Sequence, residues 1–291
     1  MAALGPDDTV LCTATMGFGA LREFAEAAGS AGFSAISLSG GDYKSARAAG
    51  LSDADIRSLL ADNNLRVAEL DGVVDWLFPL PDRQGAGYDL DIPFFGHSQD
   101  AFFAIAEALD ARSISAVDPF LRTAPLEQMA EAFARLCDRA AEHGLLVHLE
   151  FLSWGPVPDL AAAWDIVRLA GRGNGGIMLD VLHLMRSGGR DMLSRIPGER
   201  ILATQFCDGR LTRQGDYFAD AANRAWPGEG EFALPALLRE LRAAGCMAPL
   251  GVEVMGEATA GLSPQAIARR AREALEQTRE ASRSNKQPSA A

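Results

Sequence analysis

Eight short apolar or β-branched runs, each followed by a longer helical pattern, constrain this chain more than any other feature. They are VLCT (10–13), AISLS (35–39), VAEL (67–70), SISAV (113–117), LLVHLE (145–150), GIMLD (176–180), ILATQF (201–206) and LGVEV (250–254). Strict alternation of strand and helix implies a parallel sheet, because a parallel neighbour is reached only by a crossover. Eight units in a chain of 291 residues match the usual length of about 250 for a (β/α)8 TIM barrel. The fold class expected is therefore α/β, a single closed barrel over 1–280, with a doubly wound open sheet as the alternative. The polar stretch ASRSNKQPSAA at 281–291 offers few apolar anchors and is expected to be a disordered tail.

Local punctuation supports the same reading. Leu126, Met129, Ala130, Phe133, Leu136, Cys137 and Ala140 recur at helical spacing, with Pro125 at the start and Gly144 just past the end. Ser52 with Asp55, and Ser263 before Pro264, mark two further helix starts, and Gly245 marks a stop.

Charge and composition exclude several functions. A formal charge of -12 leaves no basic surface to track phosphates, which argues against nucleic acid as a partner. No run approaches the roughly 20 apolar residues of a membrane helix, and MAALGPDDTV lacks a signal peptide's basic start, so a cytoplasmic protein is expected. Cys12, Cys137, Cys207 and Cys246 are scattered without metal-ligand spacing and read as buried thiols. Lys44 and Lys286 are the only lysines, which leaves little room for Schiff-base chemistry. The letters GxGxxG occur at 171–176, but they follow a helix and lead into a strand, the reverse of what a dinucleotide site needs.

In a (β/α)8 barrel the chemistry sits at the C-terminal ends of the strands. Glu150, Asp180 and Glu253 lie at such ends after apolar runs, and Gln205 ends the strand between the last two. Three carboxylates converging on one mouth repel one another unless a cation neutralises them, and hard oxygen ligands suit Mn2+, with Mg2+ or Co2+ as alternatives. A divalent metal held by Glu150, Asp180, Gln205 and Glu253 is therefore expected. His183, just past a strand end, and His148, on the same strand face as Glu150, are candidates to face substrate. Phe18, Trp76, Phe78, Phe151, Trp154, Leu182 and Phe206 fall near the same ends, where rings could stack on a small-molecule substrate. Trp76, Trp154, His148 and Arg213 are the expected substrate contacts. A competing reading pairs the acids with arginines such as Arg186, Arg213 or Arg224, in a noncatalytic binding barrel.

The segments HLEFLSWGPVPDLAAAW, GGIMLDVLHLMRSGG, TQFCDG, WPGEGEF and GVEVMG resemble the xylose isomerase-like barrel superfamily, in particular its sugar phosphate isomerase/epimerase group with the ketose 3-epimerases and inosose dehydratase. The likeness covers strands 5 to 8 in sequence and the first half in architecture. It implies a metal, usually manganese, on Glu150, Asp180, Gln205 and Glu253, with Glu150 and Glu253 doubling as the acid/base pair and His183 contacting a substrate oxygen. The epimerases carry histidine where Gln205 stands, and glutamine there is similar to the inosose dehydratase side; hydroxypyruvate isomerase is another relative. The histidine-rich three-zinc site of the apurinic endonuclease branch does not fit a chain with four histidines and this charge. The expected activity is isomerisation or epimerisation of a keto-sugar or related polyol through a metal-stabilised enediolate. A dehydratase or keto-glycoside lyase is the alternative, and a homo-oligomer is compatible with the family.

Overall fold

The computed structural model describes residues 4–17, 20–79, 97–120 and 122–284. Its eight strands are β1 (Thr9–Leu11), β2 (Ala35–Leu38), β3 (Arg66–Val73), β4 (Ser113–Ala116), β5 (Leu146–Glu150), β6 (Gly175–Asp180), β7 (Ile201–Phe206) and β8 (Leu250–Val252). All pair in parallel with their sequence neighbours, and β1 pairs with β8, which closes the barrel. The helices in chain order are α1 (Thr13–Met16), α2 (Leu21–Ser30), α3 (Gly40–Ala48), α4 (Asp53–Asp62), α5 (Gln99–Leu109), α6 (Leu126–Glu142), α7 (Leu160–Ala170), α8 (Val181–Ser187), α9 (Tyr217–Ala221), α10 (Leu234–Ala243) and α11 (Pro264–Arg283).

Side chains alternate in and out along each strand, so one pleat feeds two different environments. Ile36, Leu38, Val147, Leu149, Ile177 and Leu179 are fully buried in the large core shared with the helix ring, where Phe133 and Leu136 of α6 belong. Inside the barrel Leu4, Val10, Ala35 and Ala68 form a small separate plug. The interior above it is polar: Ser37, Glu69, Asp71, Ser113, Ser115, His148, Glu150, Asp180, Gln205 and Glu253 are all buried.

The helix signals are realised as read. Ser52 and Asp55 form a reciprocal capping box on α4, and Ser263 caps α11 with Pro264 in its first turn. Gly171 of the GxGxxG letters ends α7 with φ 64°, so the run is a helix stop rather than a phosphate loop. The boundary expected at 281 falls inside α11, which continues through Arg283, with Ser282 buried and accepting from Arg242 at 2.9 Å. The rest of the expected tail, from 285, lies outside the described residues. No described helix is long and apolar enough to cross a membrane.

Candidate metal centre and active site

Each acid is placed by its own backbone setting. Asp180 ends β6 and caps α8: its Oδ1 accepts from the N–H groups of Leu182 at 2.7 Å and His183 at 3.3 Å. Those two bonds fix the carboxylate and leave Oδ2 for the barrel mouth. Glu150 is the last residue of β5, and Glu253 lies one residue beyond β8, its N–H still bonded to Phe206 of β7 at 3.0 Å. Gln205 of β7 donates from Nε2 to Glu253 Oε1 at 3.4 Å, while its Oε1 is buried without a hydrogen-bond partner. The expected quartet thus shares one end of the barrel, and ligand atoms of Glu150, Asp180 and His183 lie within 4.8 Å of one another.

Two further interior acids come from β3. Glu69 and Asp71 are both buried, whereas the apolar pattern predicts a strand that stops at Leu70. The alternation ELD inside RVAELDGVV is the available signal, since an acid two residues from another on a buried strand must face the same interior. Glu69 lies 3.4 Å from His148 Nε2, which is 3.1 Å from Ser113 Oγ. His148 is fully buried beside these two groups, below the strand end that carries Glu150.

Arg224 enters the sequence analysis only as a partner in the competing reading, and the structure puts it in the mouth. Its Nη1 donates to Asp180 Oδ2 at 2.7 Å and to Glu253 Oε2 at 2.8 Å, and its side chain is 4% exposed. It arrives there because the chain makes an excursion after β7 that is tied off at its base by backbone bonds in both directions between Asp208 and Ala225, each 2.9 Å. The other two arginines do something else. Arg186 of α8 holds Asp220 at 2.6 Å and 3.1 Å, anchoring the excursion, and Arg213 stacks 4.0 Å over the ring of Tyr217.

Among the described residues, the electrostatics follow from four acids facing one guanidinium. Burial pushes Asp71 up to about 7, with Glu69 adding to the effect. Burial, then Asp71, Asp180 and Glu253, hold Glu150 well above the usual carboxylate range. Burial lifts Glu253 to about 8 against the pull of Arg224. Of the four, Asp180 is the one lowered: burial opposes its charge, but Arg224, His183 and the bonds to its oxygens outweigh that. Burial also depresses His183 to about 4, which makes it a neutral imidazole at ordinary pH. An acid excess of this kind, beside an unpartnered amide oxygen, fits a divalent cation by donor chemistry and by charge.

The expected aromatic contacts divide. Trp154 donates from Nε1 to Pro119 O at 3.1 Å and presents its ring edge-on to His183 at 5.2 Å, with Phe218 at 5.0 Å and Tyr217 at 6.0 Å as further neighbours. Trp76 is buried against the helix–sheet core, edge-on to Phe133 at 6.2 Å. Phe18 lies outside the described residues.

Known proteins place this architecture. Relatives include the 3-dehydroshikimate dehydratase of Pseudomonas aeruginosa, 34% identical over 131 residues, which are 44% of this chain and 21% of that protein. The inosose isomerase of Bacillus velezensis is 30% identical over 128 residues, 43% of this chain and 45% of that protein. The matches thus span about a fifth to under a half of these relatives. Among solved structures, the IolI protein with a bound zinc atom superimposes with a TM-score of 0.78 at 19% identity, over 93% of this chain and 97% of that one. A family model described as xylose isomerase-like TIM barrel matches residues 25–280. With most of its length under that model and its barrel closed by eight parallel strands, the chain belongs to the xylose isomerase-like TIM barrel family.

Proposed function

We propose that this protein is a divalent-metal-dependent enzyme that removes a proton next to the carbonyl of a small polyhydroxylated substrate, with dehydration as the favoured outcome and isomerisation or epimerisation as the second. The observation that carries the reading is the buried set of Glu150, Asp180 and Glu253 with the unpartnered Oε1 of Gln205. Glu150, Asp180, Gln205 and Glu253 would hold the cation, and His183 lies close enough to join them. Mn2+ suits a set dominated by oxygen donors. When bound, such a cation supplies Lewis acidity toward a substrate carbonyl oxygen.

The chain's own groups do the proton work. Burial pushes Glu150 and Glu253 up, whereas a nearby cation would favour their charged forms, and a carboxyl held between such opposing effects suits proton transfer. Their strands are separated by β6 and β7, so they reach a substrate from different sides. Glu150, ionised at the start of the cycle, takes the α-proton, and Glu253, starting protonated as its raised pKa of about 8 allows, delivers its own proton to the departing β-hydroxyl, which leaves as water. Neutral His183, held 3.5 Å from Ser153 Oγ, offers a hydrogen bond to a substrate oxygen. Trp154 covers one side of that histidine.

The pairing of Arg224 with two of the acids favours one part of the noncatalytic reading. One guanidinium cannot answer Glu150 and Asp71 as well. Dehydration is preferred because two 3-dehydroshikimate dehydratases are among the relatives and glutamine stands near the end of β7. The test is incubation of Mn2+-loaded protein in heavy water with 3-dehydroshikimate, keto-inositols and keto-sugars. A conjugated product that has lost water and the α-proton supports dehydration; deuterium at the α-carbon of recovered or isomeric substrate supports the second outcome; neither such a product nor such uptake from any of them refutes the proposal.

A further inference from the structure

Arg224 links the acids to the excursion in a way that the proton chemistry does not use. At one end, Nη1 bridges Asp180 Oδ2 and Glu253 Oε2. Since Asp180 Oδ1 already accepts two backbone N–H groups, Oδ2 is the oxygen left for a metal, and Arg224 holds it. At the other end, Arg224 Nε donates to Ala221 O at 2.9 Å, the last residue of α9, and its own N–H donates to Met255 O at 3.1 Å. The neighbouring Asp220 is the latch: it takes both Arg186 bonds and the N–H of Gln214 at 3.0 Å. Tyr217 and Phe218 of the same short helix lean on Trp154, yet both remain more than 40% exposed, so little packing holds that helix down.

We propose that Arg224 is the protein's own counter-cation for Asp180 and Glu253, and that a divalent metal entering the cluster takes those carboxylates from it and loosens the 209–223 segment. The inference rests on the metal-centre reading above. Two cations crowded onto one carboxylate oxygen repel each other, most strongly where water is scarce. The guanidinium is the mobile member, because its position depends on a loop rather than on a strand end. As it moves, the Nε bond to Ala221 is lost, and α9 loses an anchor beside its latch.

The experiment uses chelator-stripped full chain, Mn2+ as the probe and no substrate, with affinity read by calorimetry and segment order by hydrogen exchange. Arg224→Met should bind Mn2+ about tenfold more tightly than the wild type, the scale of one opposite charge removed from contact with a carboxylate. Amides of 209–223 should exchange faster in the wild type once Mn2+ is added, and should already be fast and unresponsive in Arg224→Met. Arg224→Lys keeps the charge without the Nε bond, so its affinity should stay within about twofold of wild type while the exchange response disappears; this variant carries the test if Arg224→Met does not fold. Equal or weaker Mn2+ binding by Arg224→Met, or a wild-type exchange response in Arg224→Lys, overturns the coupling and leaves the metal centre standing. Failure of wild type and variant alike to bind Mn2+ overturns both.

Discussion

Glu69 and Glu150 are two glutamates buried inside one barrel, two strands apart, and they are compensated in opposite ways. Glu69 has His148 beside it at 3.4 Å, and that ring is itself 3.1 Å from Ser113 Oγ. Glu150 has Asp71, Asp180 and Glu253 for neighbours, with Arg224 the cation set against them among the described residues. The lower glutamate lies beside polar groups, whereas the upper cluster sets several acids against one guanidinium among the described residues. Buried charge is tolerated only when answered, so the lower acid belongs to the scaffold and the upper acids wait for a ligand.

The largest effects should fall on the upper cluster. Glu150→Gln or Glu253→Gln keeps an oxygen ligand and removes a base, so turnover on the substrate identified by deuterium uptake should drop by about 10² or more while Mn2+ binding weakens modestly. A Glu69→Gln variant with an equal loss of turnover would erase the distinction between the two clusters. Next in size, Asp180→Ala should lose the one ion per chain expected from metal analysis of wild-type protein, because it removes the carboxylate of this cluster that the fold keeps ionised. Full metal content in that variant would place the ion elsewhere.

A pH effect should sharpen the contrast. Asp71, Glu150 and Glu253 hold protons more tightly folded than unfolded, so their contribution is fully present below the usual carboxylate pKa and is lost as pH rises toward about 8. Metal-free protein should therefore melt at progressively lower temperature from about pH 5 to pH 8. Mn2+ should restore more of the melting temperature at the upper end, since binding needs the carboxylates ionised. A metal-induced shift independent of pH over that range would contradict this assignment. His148→Leu should cost about 1–3 kcal/mol by removing the ring that bonds Ser113 and lies beside Glu69, with Mn2+ affinity unchanged. Smallest of all, Trp154→Phe should remove the ligand-linked change in fluorescence, and Trp76→Phe should leave it intact; the reverse result would exchange their places.

Strand placement and the acids of β5 to β8 were legible in the sequence, because a carboxylate that closes a buried apolar run must either reach the barrel mouth or find a cation. Asp71 was not, since the apolar run on β3 continues past it through Gly72 to Val74 and hides the acid inside the strand rather than at its end. Arg224 could be named only as one of three candidate partners for the acids: it lies 18 residues past the end of β7, and nothing local says that the chain doubles back at Asp208 and Ala225. His148 shares the inward face of Glu150 but lies one layer lower, and a two-residue period cannot distinguish depth.

The tie between Asp208 and Ala225 has a consequence for how such a barrel diversifies. Asp208 also accepts from the N–H groups of Gly209, Gly228 and Phe232, so the neck of the excursion is secured by groups outside its span as well as within it. A segment closed at its neck can gain, lose or exchange residues without shifting the strands on either side. Descendants of one ancestor could thus trade α9 and its exposed aromatic pair for another covering, inheriting the acids intact, and so acquire new substrates through a single exchangeable cassette.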